Sequence, residues 1–378
     1  MSHEQIDNKG FMRDLSKNRY NWEMSRFWLV FILCVSLLGL LSCRNSSVEQ
    51  APATPTVEAR QPAGELYYIQ RPPDGPQRIM RFTLPDGGSE VVYTAPELSL
   101  LHEFEVFPDG QSLIFSYTPP PSVNNGVFDR NILATLDLNG ETADAENILG
   151  GELPNEFYNM PIVSPDGRYL FYSRLGPDRL GLTGTDTFYG IERYDLQTEE
   201  ILPIVPNSIW PQISPDGNKI IFIILDLPTQ QRGLGIINSD GTEPELLIDI
   251  GRYFDIDSPI FAPDGQSIYL SIVETQPTQS FIERFFGLSV AYAHTEHNIP
   301  STWWELKLNG EENEPTPLNT AEVILVNGRF HKTDSYLALS TTTGLKMLDF
   351  KDGANMTIEE VALGSDFGML NWAGSDSE

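Results

Sequence analysis

Residues 162–172 read IVSPDGRYLFY, and the string returns with small changes at 105–115 (EVFPDGQSLIF), 212–222 (QISPDGNKIIF) and 260–270 (IFAPDGQSIYL). A worn copy stands at 329–339, RFHKTDSYLAL. The motif prolines Pro108, Pro165, Pro215 and Pro263 are spaced 57, 50 and 48 residues apart, which marks a repeat architecture. Within each copy the chemistry is that of a turn. Proline presets φ at the first central position, and aspartate is tolerated at the next. Glycine then takes the left-handed position of a bulge, which β-branched residues resist. The string is therefore a hairpin connector. An acid that recurs once per hairpin belongs to the turn and is not a catalytic group.

Around each connector the same plan repeats. A short apolar stretch (PIVS, PQIS) enters the turn, and a strongly β-prone run leaves it (YLFYS, KIIFII, SIYLS). A third strand follows (GIERYDL, GLGIINS), then a fourth (EILPIV, PELLID). Short strands at regular spacing with turn signals indicate an all-β fold. Four strands per unit of this length indicate a β-propeller blade. SPDG followed by an aromatic-aliphatic strand resembles the TolB-type, WD-like propeller repeat, and the resemblance spans residues 64–378. It implies six blades. Blades two to six are read at 98–150, 156–205, 207–250, 253–319 and 322–363. Blade one shows only three strands, near ELYYIQ, RIMRFTL and EVVYT. Residues 369–376, MLNWAGSD, align with MPIVSPDG, so the C-terminal strand is expected to complete blade one and close the ring. Closure would remove the open sheet edges that otherwise template aggregation.

Two departures from propeller families matter. TolB proteins carry a separate domain before the propeller, whereas here only residues 44–63 stand between the leader and the first strand. Peptidases with propellers carry a hydrolase domain, but the chain contains no Gly-x-Ser-x-Gly elbow.

The chain has 24 Lys and Arg against 53 Asp and Glu, a net charge of −29, which argues against nucleic acid and against electrostatic docking on anionic lipid. Both cysteines, Cys34 and Cys43, lie near the start, so nothing beyond Cys43 forms an intrachain disulfide or acts as a thiol nucleophile. Residues 27–41, FWLVFILCVSLLGLL, form an apolar run shorter than the roughly 20 residues of a membrane span. They fit the core of a signal peptide. The run ends in LLSC (40–43), which resembles the bacterial lipobox, and the resemblance implies a lipidated Cys43. Met24 would open a more compact signal than Met1 does. The expected organisation is a lipoprotein signal over 1–43, a disordered Pro/Ser/Ala/Thr-rich tether over 44–63, and a propeller over 64–378. The expected place is a cell membrane, with the folded part facing the periplasm or exterior.

Other chemical motifs are weak. HTEH (294–297) lacks the i, i+4 spacing of a zinc helix and reads as a loop. DLNGETAD (137–144) lacks a calcium loop's terminal Glu. Neither a metal nor a cofactor is expected. Propeller function usually sits on one face at the channel mouth. Three long connections are expected to share that face: PPPSVNNGVFDR in blade two, GPDRLGLTGTDTFYG in blade three, and an insertion of about 274–302 in blade five. The insertion and its border carry Phe285, Phe286, Trp303 and Trp304, read as an aromatic flap. Register with the motif brings a row to the channel mouth: His102, Asn159, Ile209, Asp257 and Val326, with neighbours that include Trp210 and Asn327. The candidate binding residues are thus His102, Asn159, Trp210, Asp257, Asn327, Phe285, Phe286, Trp303 and Trp304, with Cys43 for lipidation. These suggest a monomeric, lipid-anchored binder or scaffold for an envelope protein, peptide or glycan. The alternative is a glycan-active hydrolase or lyase using channel acids, since so many carboxylates offer many pairs.

Overall fold

The computed structural model describes residues 63–85, 87–121, 129–140, 144–151, 153–184, 186–274, 302–309, 314–318, 325–330, 336–341, 344–349, 355–360 and 366–373, all within the unit Arg60–Glu378. Cys43, Phe285 and Phe286 lie outside these residues, as do the signal segment, the tether and most of the blade-five insertion.

Among the described residues the strands form six four-stranded antiparallel sheets. The first sheet holds β1 (Gly64–Arg71), β2 (Arg78–Leu84) and β3 (Ser89–Thr94). The second holds β4 (Leu100–Val106), β5 (Ser112–Thr118), β6 (Ile132–Asp137) and β7 (Glu146–Leu149). The third holds β8 (Phe157–Val163), β9 (Tyr169–Pro177), β10 (Thr187–Asp195) and β11 (Ile201–Pro206). The fourth holds β12 (Ser208–Ile213), β13 (Lys219–Asp226), β14 (Gln231–Asn238) and β15 (Glu245–Ile248). The fifth holds β16 (Asp255–Phe261), β17 (Ser267–Val273), β18 (Thr302–Lys307) and β19 (Thr316–Pro317). The sixth holds β20 (Leu325–Phe330), β21 (Tyr336–Thr341), β22 (Gly344–Asp349) and β23 (Asn355–Glu360). The last strand, β24 (Asp366–Ala373), pairs antiparallel with β1, Leu66 opposite Trp372 and Tyr68 opposite Leu370. The first sheet is thus built from both ends of the folded unit, as the C-terminal alignment predicts.

The leading strands touch in sequence, β4 to β8 to β12 to β16 to β20, and β24 touches both β20 and β4. Six apolar clusters fill the interfaces between successive sheets, each drawing on two neighbours. This is an all-β propeller. Both faces of each sheet are covered, so successive residues of a strand point into different clusters. Leu66 and Tyr68 pack toward the sixth sheet, whereas Tyr67 and Ile69 pack toward the second.

The repeated turn works as its composition suggests, with one addition. Gly110, Gly167, Gly217 and Gly265 all adopt φ between 67° and 76°. In each copy the Asp carboxylate accepts the backbone N–H two residues on, at 2.9–3.1 Å from Gln111, Arg168, Asn218 and Gln266. Where serine precedes the proline, its hydroxyl donates to that Asp and accepts the N–H of the strand's first residue, 2.8 Å from Tyr169 and 2.9 Å from Lys219. The Ser164 hydroxyl and the Arg168 N–H hold the Asp166 carboxyl below its ordinary value, and Ser214 with Asn218 does the same for Asp216.

Trp303 and Trp304 are not flap residues. They lie in β18, 1% and 8% exposed, and face opposite ways. Trp303 packs with Ile260, Leu337 and Leu348 at the fifth–sixth interface, and Trp304 packs with fourth- and fifth-sheet residues. Two adjacent bulky residues suit a strand with both faces buried.

Candidate functional site

The row at the inner strands is organised by a repeated bulge. Register shifts fall between Asn159 and Ile162, Ile209 and Gln212, and Asp257 and Ile260. Met160, Trp210 and Ser258, each five residues before its motif proline, carry positive φ of 55°, 59° and 49°. A bulge leaves a backbone N–H without a ladder partner. Side chains take it: Met160 N–H donates to Glu103 at 3.1 Å, Trp210 N–H to Ser173 Oγ at 3.1 Å, and Ser258 N–H to Asp257 at 2.7 Å. Asp257 is accordingly buried and caps its own bulge. Trp210 is also buried, its ring in the cluster between the fourth and fifth sheets, so it supplies packing and not an exposed stacking platform. Asn327 lies at a shift in β20, where its backbone pairs with Ser340.

His102 and Asn159 do come together. His102 Nε2 lies 2.6 Å from Thr118 Oγ1, Thr118 donates to Asn131 Oδ1, and the Asn131 amide donates to Asn159 Oδ1. Because the Thr118 hydroxyl donates onward, its oxygen accepts from His102, which sets the Nε2–H tautomer. Burial first, and Arg71 second, push the His102 pKa down to about 4, so the imidazole is neutral at pH 7. Ser116 extends the network to the Tyr158 carbonyl at 2.7 Å. This chain of hydrogen bonds ties the second sheet to the third. On the other side, the Asn371 amide donates to Glu105, which links β24 to β4, and the Trp372 indole N–H donates to the Arg329 carbonyl at 3.2 Å.

A second constellation lies in the third sheet, and sequence reasoning missed it. Arg174 on β9 is 4% exposed and pairs with two buried carboxylates, Glu156 at 3.1 Å and Glu192 at 3.3 Å. Tyr172 donates to Glu192 at 3.0 Å and Tyr158 to Glu156 at 3.3 Å. Arg179, from the β9–β10 connection, also pairs with Glu156, although its own side chain is 52% exposed. Cross-strand register builds this group: Tyr158 and Gly190 flank Arg174, and Glu192 stands opposite Tyr172, all on one face. Gly176 leaves room for it, since a Cβ there would sit 3.1 Å from the Arg174 guanidinium.

Burial raises the Glu192 pKa against the lowering effects of Arg174 and Tyr172. Burial opposes charge on Arg174 as well, but Glu192 and Glu156 outweigh it and the guanidinium pKa rises. A cavity of about 200 Å³ opens beside this group, lined by Tyr158, Phe188, Glu192 and Pro203, with Arg179, Leu180 and Leu182 from the connection. Leu180 and Leu182 are 66% and 50% exposed. The connection is internally ordered by Asp178, which accepts Thr183 N–H at 2.8 Å and Thr183 Oγ1–H at 2.7 Å, and these bonds bring its pKa down to about 2. The sequence did hold a signal. Positions equivalent to Glu156, Arg174 and Glu192 are Ser99, Tyr117 and Ala134 in the second sheet, Pro206, Ile224 and Gly235 in the fourth, and Phe254, Ile272 and Trp304 in the fifth. Only the third repeat spends three charges there.

The described ends of the second- and third-sheet connections meet at Glu156. Asn131 N–H donates to the Glu156 carbonyl at 3.1 Å, Arg130 bridges to Glu156, and Arg179 reaches the same residue. Among the described residues no group of three or more His, Cys, Asp or Glu is arranged to hold a metal.

No family model matches the chain, and no curated protein does. Solved structures do. TolB from Acinetobacter baumannii superposes with a TM-score of 0.56 at 15% identity, over 82% of this chain and 66% of that one. The chain thus spans just under two thirds of that protein. A putative TolB from Agrobacterium tumefaciens gives 0.52 at 14% identity, over 83% of this chain and 99% of its own. A chain of a nidogen–laminin complex gives 0.57 at 10% identity, with the same two coverages. At such identities the likeness is one of fold, and the fold it shares with them is the β-propeller.

Proposed function

We propose that the chain is a lipid-anchored, six-bladed propeller that acts outside the cytoplasm by binding an envelope protein or peptide on one face, without a covalent step. The observation that carries this reading is the convergence of the long connections of the second and third sheets on Glu156, beside a pocket that the repeat does not need. One chain of similar fold was solved in a nidogen–laminin complex, which supports a reading of protein recognition. The proposed face is the one that His102 and Asn159 border, and the segment 275–301 with Phe285 and Phe286, which lies outside the described residues, is proposed to join it. Lipidation at Cys43 and the tether 44–63 would hold this face away from the membrane. The glycan-active alternative draws on the raised pKa of Glu192, but both carboxylates of that pair are tied to Arg174. Affinity capture with residues 60–378 from native envelope extract, followed by mass spectrometry, tests the proposal. A saturable protein partner, competed by excess free protein, is expected. Capture of glycan fragments alone, shortened on incubation, would replace the binder by the enzyme.

A further inference from the structure

The charged pocket of the third sheet is absent from the repeat plan, and its composition is specific enough to name an occupant. Its lining includes the rings of Tyr158 and Phe188 and Glu192, whose two oxygens accept from Tyr172 and Arg174. Its rim presents Leu180, Leu182 and Ile201, all exposed. Carboxylate and aromatic walls together recognise a flat cation, by charge-assisted hydrogen bonds and by contact with the ring face. The pocket already shows that pairing, because the Arg174 guanidinium sits 5.7 Å from the centroid of Phe188 while bonded to Glu192. The space is ample for a side chain, since one water needs only about 10–15 Å³ of it.

Charge balance identifies the mobile member. Glu156 and Glu192 are matched by Arg174 and Arg179, so these four side chains are neutral together, and the ionised Asp178 adds a negative charge to the lining. Arg174 is fixed, with bonds to both glutamates and to the Pro177 carbonyl at 3.0 Å. Arg179 is the one whose side chain is half in solvent, and among the described residues its ion pair is with Glu156. Moving it outward leaves one buried carboxylate under-compensated, in a protein of net charge −29, which disfavours an anion and favours a cation from outside.

We propose that this pocket is a recognition site for an arginine side chain of a partner peptide, that the incoming guanidinium takes the Glu156 carboxylate on which Arg179 now sits as an intramolecular stand-in, and that Leu180 and Leu182 contact apolar residues flanking the incoming arginine. The proposal rests on the reading of the chain as a face-binding propeller and gives that face its chemistry. An internal competitor of this kind sets a threshold. Only a segment that supplies both the cation and the flanking apolar contacts displaces Arg179, which favours such a segment over free arginine or over a lone basic side chain.

The probe is the peptide acetyl-Leu-Arg-Leu-amide, compared with the same peptide carrying citrulline, which keeps the shape and loses the charge. Binding is read by NMR titration of the full chain and of Arg179→Ala. The expected result is that Arg179→Ala binds the arginine peptide about fivefold more tightly than the parent, the upper end of what a partly exposed ion pair withholds, and leaves the citrulline peptide unchanged. Glu156→Gln in the Arg179→Ala background should reverse the gain. Should that variant fail to fold, Arg179→Ala with the two peptides decides alone, because Arg179 is a half-exposed loop residue. Equal binding of the two peptides, or no gain in Arg179→Ala, overturns the pocket. If the pocket fails while envelope capture succeeds, the face-binding reading stands without it. If the peptide binds as expected and capture fails, the pocket stands and the envelope reading falls.

Discussion

His102 makes the inner polar chain sensitive to pH, and the size of the effect follows from its position. In the folded state its pKa is lowered to about 4, by burial and then by Arg71, whereas an unfolded histidine titrates near 6.5. Between those values the unfolded chain binds the proton and the folded chain refuses it. Stability therefore rises with pH through this window and is lost as pH falls. The geometry supports the sign. Nε2–H already donates to Thr118, whose own hydroxyl is committed to Asn131, so a second ring proton would charge a buried group beside Arg71. At about 1.4 kcal/mol per unit, lowering the pH from 7 to 5 costs about 2 kcal/mol at this residue alone. The other four histidines are removed from the comparison by using His102→Gln, which keeps a donor and cannot titrate. Urea unfolding of both proteins at pH 7 and pH 5 gives the answer. The parent should lose about 2 kcal/mol more than His102→Gln over that interval. Equal losses in the two proteins would show that His102 is accessible to protons in the folded state and that the buried relay is wrong.

Closure of the ring should be visible in Trp372, which is buried among Leu66, Met80, Tyr336 and Met347. Trp372→Ala should cost about 3–5 kcal/mol and lower the thermal midpoint cooperatively, and an unchanged midpoint would mean that β24 is dispensable. Cys43→Ala should release the protein from the membrane fraction and abolish incorporation of labelled lipid, and persistence of either would remove the anchor. Replacing residues 275–300 by a short Gly-Ser connector should leave the melting midpoint within a few degrees, because Trp303 and Trp304 stay in β18. Capture of the partner should fall, since aromatic anchors such as Phe285 and Phe286 commonly carry about 2 kcal/mol each. Unfolding of this variant would show the segment to be core, and unaltered capture would place the site elsewhere.

What could be read from the sequence was what is written locally. SPDG is turn chemistry, complete within a few residues, and it repeats, so strand count and sheet order followed. The C-terminal strand was legible because MLNW keeps the motif's alternation even without the turn. Three things escaped for physical reasons. The strand role of Trp303 and Trp304 escaped, since they look like flap aromatics until β18 is seen to bury both its faces. The bulges escaped because left-handed Met160, Trp210 and Ser258 share no residue type. What they share is a rescued N–H, and the rescuing groups Glu103 and Ser173 come from the preceding sheet. The ion group escaped because Glu156, Arg174 and Glu192 meet only through cross-strand register.

A repeat fold also tells where to look for function. Positions that every repeat fills alike are spent on holding the ring, and the motif aspartates are of this kind. Function has to use positions where one repeat departs from the rest at a cost to stability. Burying three charges in the third sheet is such a departure, because apolar residues of similar volume stand at two of those positions in the fifth sheet and pack there without an ion to desolvate. The cost is not repaid by pairing alone. Burial still opposes the Glu192 carboxylate after Arg174 and Tyr172 have acted on it. The group lies beside a connection whose two most exposed leucines line the opening. A packed interface between sheets has no use for either feature, and a surface that must choose among incoming basic segments has use for both.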